Sequence, residues 1–471
     1  MTLTARQRLM YIVGDFLSTN VAVCLFAVVR YYIDELSTHF GSLQNYLMHR
    51  PVMEEQILFP LGMLFVYWLS GYYNQVFMKS RLQELERTIS NCFVGTVVFF
   101  FIALINDLQP DRVRSYLLMC SLFGFLFVFV YPVRRFVSYV GKKRVEKGMW
   151  AINTLVVGCG KAACDMVARI EKSRKVMGYR VVGYLDAGED EKSLCADIPV
   201  FGFDELEDVI RNYDIKAFVV AVDNRSPDVM RGLINKLLPT GCSVLISPDT
   251  YEMLTTRIRT SNVSGEPLVD LSSSNISEST LNIKRVFDVF FSIVGLVLSA
   301  PVIAILAICI KFDSPGPVIF RQERVGRHKK PFVMYKLRSM VADAENNGPT
   351  LSVANDSRVT RIGSVMRKYR LDELPQFWNV LRGDMSFVGP RPEREHYVKM
   401  LYERIPAYSL IQQVKPGLTS WGMVKYGYAS NVDEMIERLR YDLIYLDNVS
   451  IGIDIKILIY TLKTVLTGKG I

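Results

Sequence analysis

The sequence predicts a membrane protein of mixed class, α-helical in its first third and α/β behind it. Three observations point there. Half of the 471 residues are hydrophobic, and mean hydropathy is +0.19, high for a chain that meets only water. Four apolar stretches open the protein. From Asn153 onward, short β-branched runs alternate with helical stretches, the rhythm of a parallel sheet covered by helices. The length allows two to four domains. The expected plan is a four-helix transmembrane region at 1–148 and a Rossmann-like domain at 149–267. A serine-rich linker at 268–283 and a third domain at 284–471 follow.

The four apolar stretches cover residues 9–29, 57–73, 89–105 and 116–133, each near the ~20 residues that cross a bilayer. Arg6 and Arg8 precede the first, and Lys79, Arg81 and Arg87 lie between the second and third. Arg134, Arg135, Lys142, Lys143, Arg144 and Lys147 follow the fourth. Basic residues concentrate on the cytoplasmic side, so both ends of the unit are expected inside. Arg112 and Arg114 fall on the other side, next to Asp107 and Asp111. Asp15, near the start of the first stretch, is expected at the membrane interface.

A charge of +9 and a pI near 9.0 suit anionic headgroups or phosphorylated substrates. No nucleic-acid motif accompanies the charge, so nucleic acid is not an expected partner. Eight cysteines include no C-x-x-C pair, and four histidines have no ligand spacing. Reduced thiols are therefore expected, without disulfides or zinc. The N-terminus lacks a short apolar core with a cleavage site, so no removable signal peptide is expected.

In the second domain, runs at 154–158, 180–186, 217–222 and 243–247 read as strands. Gly158-Cys159-Gly160 follows the first of them and opens a helix, the setting in which a helix N-terminus meets a pyrophosphate. Asp186, ending the second strand, is the ribose candidate. Two glycines there also serve tight strand–helix packing. The Tyr139–Lys143 spacing of an oxidoreductase lies upstream of the glycines, out of place for catalysis.

The third domain begins with an uncharged run at 289–310, flanked by Lys284, Arg285 and Lys311, with Pro301 near its middle. Proline removes a helix hydrogen bond and bends the chain. A straight crossing would put a lysine- and arginine-rich domain outside. The expected element is thus a re-entrant helix at about 284–312 that bends near Pro301, with a plain spanning helix as the alternative. At the C-terminus, Ile455, Leu458, Ile459, Leu462, Val465 and Leu466 share a helix face, with Lys456, Lys463 and Lys469 within reach of headgroups. This is an interfacial amphipathic helix or a core helix of the domain.

The chemistry concentrates in residues 367–392, RKYRLDELPQFWNVLRGDMSFVGPRP. Asp372 and Glu373 lie between Arg367, Arg370 and later arginines. Adjacent acids on a helix diverge by about 100°, so they cannot act as one carboxylate pair but can divide labour, one as nucleophile and one as metal ligand. Leu371, Leu374, Phe377 and Trp378 cover the adjacent face. Gly389-Pro390-Arg391-Pro392 makes a stiff turn with a guanidinium at its tip, suited to a diphosphate. An ordinary solvated charge pair and a surface turn are the plain alternatives.

The stretch LDELPQFWNVLRGDMSFVGPRP resembles the signature of the bacterial sugar transferases, the polyprenyl-phosphate phosphoglycosyl transferases. KRVFDVFFSIVGLVLSAPV, PGPVIFRQERVG, YKLRSM and KPGLT add to the resemblance, which covers nearly the whole chain in the large monotopic form of that family. It implies transfer of a phosphosugar from a UDP-sugar to undecaprenyl phosphate with release of UMP, at the start of capsule, O-antigen or exopolysaccharide assembly. It implies Asp372 as the nucleophile that carries the phosphosugar, and Glu373 as the Mg²⁺ ligand. Arg367, Arg370 and Arg391, together with Lys336 and Arg338 of YKLRSM, would hold substrate phosphates, and Pro301 would kink the membrane helix. It further implies the bacterial inner membrane, a cytoplasmic catalytic face, membrane-lipid contact and a homodimer. The chain departs from the family at Ser420-Trp421-Gly422-Met423, which would shape the donor pocket, and at Ala300, where a serine is common. Alternatives are an oxidoreductase that modifies nucleotide sugars and a non-catalytic regulator of polysaccharide export.

Overall fold

The computed structural model describes residues 3–74, 81–104, 112–146, 150–188, 198–223, 226–247, 268–272, 276–341 and 356–467. Lys79, Asp107, Asp111, Lys147, Lys469, the domain limit expected at 267 and the middle of the serine-rich linker lie outside them. The chain builds two compact units. One holds Met1–Ala151, Ser173–Gly178 and Ser277–Asn282, and the other holds Ile152–Lys172, Tyr179–Ile276 and Ile283–Ile471. The α/β region and the third domain thus share the second unit.

In the first unit, long helices run over Leu3–Ile33, Arg50–Leu69, Arg81–Phe99 and Arg112–Glu146. They pack around Tyr11, Phe26, Met63, Tyr67, Leu122 and Leu126. Their outer faces carry Leu17, Val21, Ile57, Phe65, Phe93 and Val128 exposed, where a water-soluble bundle would carry charge. Among the described residues, five helices are long and apolar enough to cross a membrane, four of them here.

Asp15, expected at the membrane interface, and Arg134, which follows the fourth apolar stretch, meet inside the bundle. Both are fully buried, joined by bonds from Arg134 Nε to Oδ1 and from Nη2 to Oδ2, each 2.8 Å. The guanidinium is sandwiched by the rings of Tyr67 and Tyr72 at 4.1 and 3.8 Å, and Tyr73 donates to Asp15 at 2.8 Å. The last helix runs on to Glu146, which carries Arg134 into the bundle. Removing one partner of such a pair strands the other in a low-dielectric interior. Asp15→Asn should therefore cost about 3–5 kcal/mol in denaturant unfolding of the detergent-solubilised protein. A loss below about 1 kcal/mol would mean that the pair is not the clasp it looks like.

The second unit opens with a six-stranded sheet. β1 (Ile152–Val157), β2 (Tyr179–Leu185), β3 (Val200–Phe201), β4 (Ala217–Val220), β5 (Ser243–Ile246) and β6 (Val269–Asp270) stand in the order β3-β2-β1-β4-β5-β6. All pairs are parallel except β5 with β6. Alternate residues of one strand point to opposite faces. Leu155, Val157, Phe218 and Val220 fill one layer, and Val156, Val219, Ala217 and Leu245 the other. Burial on both faces explains the unbroken apolar runs. Gly158 is required by the fold itself. Its φ is +114°, and a Cβ there would lie 2.6 Å from the Ala221 carbonyl oxygen. Cys164 is disulfide-bonded, against the expectation of reduced thiols throughout.

The helix Glu278–Asp313 follows, continuous through Pro301. Its N-terminal part is held by the domain that comes after it. Lys284 pairs with Asp454, and Arg285 donates to the carbonyls of Val380 and Leu381 at 2.7 Å each. Asp288 accepts from Ser386 Oγ and the Phe387 amide at 3.0 Å. The far end is held by the same domain. Arg338 donates to the carbonyls of Pro315 at 2.8 Å and Ser314 at 2.6 Å, and Ile310 packs on Leu337 and Met366. The faces between carry Val294, Val297, Leu298, Val302 and Ile305 exposed.

Behind the helix stand an antiparallel hairpin of β7 (Ile319–Val325) and β8 (Pro331–Leu337) and a parallel pair of β9 (Ser386–Val388) and β10 (Gly417–Thr419). The C-terminal helix Ile451–Leu466 has one packed and one exposed apolar side. Ile453, Ile457 and Leu458 pack into the domain, while Ile455, Ile459 and Leu462 face outward.

Candidate active site

The acid pair lies in a single 3₁₀ turn, Leu371–Glu373, between the helices Arg361–Lys368 and Gln376–Arg382. Arg370 enters the turn with φ at +53°, a left-handed conformation that costs a non-glycine residue about 1 kcal/mol or more. That reversal directs the Asp372 and Glu373 carboxylates inward, and both residues are buried. They line a cavity of about 260 Å³ that also receives Lys336, Arg367, Arg370 and Arg391.

The two acids are treated differently. Lys336 Nζ lies 3.2 Å from Glu373 Oε1, and Arg370 Nη1 lies 3.3 Å from Oε2. Burial raises the Glu373 carboxyl, but Lys336, Arg370 and Arg391 outweigh it and hold the group below the usual carboxylate range. Among the described residues no ion pair engages Asp372. Burial raises it, Lys336 pulls it back, and the neighbouring Glu373 charge raises it again, leaving it above the ordinary value. The pair is thus one pinned anion beside one more basic, less encumbered carboxylate. Burial in turn lowers Lys336, against the pull of both acids.

The hairpin supplies the cations from β8 and β7. Phe320, Gln322 and Arg324 of β7 line the cavity together with Lys336. The period-two spacing of these β7 residues is the sequence signal that would have found Arg324. Its guanidinium lies 3.4 Å from Glu393, whose other oxygen takes a 2.6 Å bond from Arg438. Glu393 follows the Pro-Arg-Pro turn, and Arg438 belongs to the Val432–Asp447 helix. The turn is fixed by contact between two loops. A Cβ on Gly417 would lie 2.2 Å from the Gly389 amide nitrogen, so the KPG and GPRP segments touch backbone to backbone.

Several expected residues lie where expected and others do not. Arg367 lines the cavity and donates to Ser339 Oγ at 3.0 Å. Arg338 also reaches the wall, yet two of its nitrogens hold the helix-end carbonyls described above, so its visible work is to anchor the membrane helix. Ser420, in the segment that departs from the family pattern, is fully buried and caps the Trp421–Lys425 helix by accepting from the Met423 amide at 2.9 Å. Of that segment Met423 touches the site, its sulfur 3.7 Å from Arg391. Asp442 accepts from the Gly422 amide at 3.0 Å, and burial pushes its carboxyl up to about 6.

At the glycine loop of the sheet domain the Asp223 carboxylate accepts from the Ala162 amide at 3.0 Å, at the helix N-terminus where a pyrophosphate is expected. Asp186 accepts from the Gly188 amide at 2.9 Å, closing a local turn. The Gly158 amide donates to the Leu185 carbonyl at 2.9 Å, which sets Gly158 beside the strand end that carries Asp186.

Mg²⁺ takes one or two carboxylates and completes its shell with phosphate oxygens and water. Asp372 and Glu373 offer that donor set. Among the described residues no cluster of three or more His, Cys, Asp or Glu side chains occurs, and the two Glu373 oxygens face Lys336 and Arg370.

A family model described as bacterial sugar transferase matches residues 279–468, and one described as CoA-binding domain matches 69–248. A putative undecaprenyl-phosphate N-acetylgalactosaminyl 1-phosphate transferase of Bacillus subtilis is 49% identical over 152 residues, 31% of this chain and 85% of its own. The chain belongs to the bacterial sugar transferase family. Within it, a UDP-N-acetylgalactosamine-undecaprenyl-phosphate N-acetylgalactosaminephosphotransferase of Aeromonas hydrophila is 40% identical over 46% of this chain and 51% of its own. A UDP-glucose:undecaprenyl-phosphate glucose-1-phosphate transferase of Klebsiella pneumoniae is 34% identical over 63% of this chain and 64% of its own. The matches thus span about half to two thirds of these two relatives. The family match contains the whole cavity wall named above, from β7 to Arg438.

Proposed function

We propose that this protein transfers a phosphosugar from a UDP-sugar to undecaprenyl phosphate and releases UMP. The observation that carries it is the unequal acid pair in a wall of lysine and arginine. Asp372, the more basic and less encumbered carboxylate, attacks the sugar-bearing phosphorus. The bond from that phosphorus to the bridging oxygen breaks, and UMP leaves with the electron pair. A phosphate oxygen of undecaprenyl phosphate then attacks the same phosphorus, and the Asp372 carboxylate departs. A covalent relay lets one cavity serve a water-soluble donor and then a lipid acceptor. Arg367, Arg370, Arg391 and Lys336 offset the charge on the phosphoryl oxygens. Glu373, with Asp372 beside it, would hold Mg²⁺, which when bound adds positive charge at the transferring phosphate. UMP release measured across a panel of UDP-sugars, with undecaprenyl phosphate and Mg²⁺, tests the function. Release from none of them would refute it.

We also infer that the Glu278–Asp313 helix enters the membrane and returns. From Arg285 to Ile310 a straight helix rises about 37 Å, more than the ~30 Å hydrocarbon core. A straight crossing would leave these two residues on opposite sides. Both are instead held by the one domain behind the helix, while the faces between are apolar and exposed. Cysteines at Ser277 and Arg321, exposed positions on either side of the helix, should react with an impermeant maleimide from the same face in sealed vesicles. Reaction from opposite faces would establish a spanning helix.

A further inference from the structure

Tyr428 belongs to none of the motifs that mark the site. It lies between the Trp421–Lys425 and Val432–Asp447 helices, just after Gly427, whose φ is +100°. That turn carries its half-buried ring into the cavity wall. There the ring stands against two guanidiniums from different segments. Arg370, which leads into the acid pair, is 5.1 Å from its centroid, and Arg391, of the Pro-Arg-Pro turn, is 5.0 Å away.

Two like charges around one point repel, and each needs an offset. Arg370 has Glu373 at 3.3 Å. Among the described residues Arg391 forms no ion pair. What faces it is the ring, whose negative π cloud attracts cations without neutralising them. The aromatic face leaves the Arg391 charge un-neutralised for a ligand, and Arg370, beside Glu373, adds a second guanidinium at a fixed spacing. A diphosphate presents two adjacent anionic groups and calls for two cations at a fixed spacing.

We propose that Tyr428 is a positioning residue, its ring holding Arg370 and Arg391 as a spaced pair that receives the diphosphate of the nucleotide sugar. The proposal rests on the transferase function above and adds what sets the spacing of its cations. The test uses the full chain in detergent with a UDP-sugar that supports turnover. Tyr428→Phe keeps the ring and should leave KM within about twofold, whereas Tyr428→Leu should raise KM about tenfold. Loss of a contact made equally with substrate and transition state leaves kcat little changed, within about threefold. Stepwise fluorination of a phenylalanine at 428 withdraws π density at nearly constant shape, and KM should climb with each fluorine. This series decides the matter if the leucine variant does not fold. UDP affinity by calorimetry should follow the same order without turnover. A leucine variant with wild-type KM and UDP affinity would overturn the proposal, as would a flat fluorine series or a phenylalanine variant as weak as leucine. Wild-type protein that turns over no UDP-sugar would instead refute the transferase function, while the UDP affinities would still test the ring.

Discussion

Asp372→Asn should abolish UMP release, with a loss of about 10⁴-fold or more, as expected when a covalent nucleophile is removed. The loss should be catalytic rather than structural. Asp372 has no ion pair among the described residues, so the amide strands no charged partner. Its removal also relieves the burial of a second carboxylate next to Glu373. Unfolding of the variant should therefore fall within about 1 kcal/mol of wild type, or on its stable side. Glu373→Gln differs, because it leaves the partly buried Lys336 and Arg370 without their counter-charge. Loss of both activity and stability is expected there. Normal turnover by Asp372→Asn would remove the nucleophile from the mechanism.

Lys336→Met has the second-largest expected effect. This lysine is the leading cationic influence on both acids, and its loss should lower kcat/KM by about 10²–10³-fold. The pH profile separates its role from simple damage. Asp372 attacks only when ionised, so activity falls as pH drops through its pKa. Burial places that pKa above the ordinary aspartate value, and the acid limb of the wild-type profile should be displaced upward accordingly. Lys336 lowers the Asp372 pKa. Removing it raises that pKa further, so the acid limb moves to higher pH. Lys336→Arg keeps the charge and should keep the limb near its wild-type position. A limb that does not move in Lys336→Met would show that another group sets it.

The site was readable where its residues are close in sequence. Arg367, Arg370, Asp372 and Glu373 share one short stretch, and Arg391 sits between two prolines that announce a turn. The apolar helices and strands β1, β2, β4 and β5 were readable because burial imposes a period or an unbroken run. β3 and β6, two residues each, leave no such run. The Asp15–Arg134 pair joins the first long helix to the fourth, and each residue alone looks like an interfacial charge. Arg338 looks like a phosphate ligand by type, and only the helix-end carbonyls reveal its anchoring bonds. Tyr428 is one aromatic among 24 tyrosines, and nothing in its neighbours tells that two distant arginines converge on it. The segment 420–423 shows the reverse. Its departure from the family pattern was visible, but only Met423 reaches the site, and Ser420 serves as a helix cap.

The central claim is that Asp372 carries the phosphosugar between donor and acceptor. Intact-protein mass spectrometry tests it most directly, on protein quenched during single turnover with a competent UDP-sugar and no acceptor. The mechanism predicts one phosphosugar per chain, mapped to Asp372 by fragmentation, absent in Asp372→Asn and removed on adding undecaprenyl phosphate. Full UMP release on the time scale of turnover, with no adduct at any quench time and a dependence on undecaprenyl phosphate for the first UMP, would contradict it.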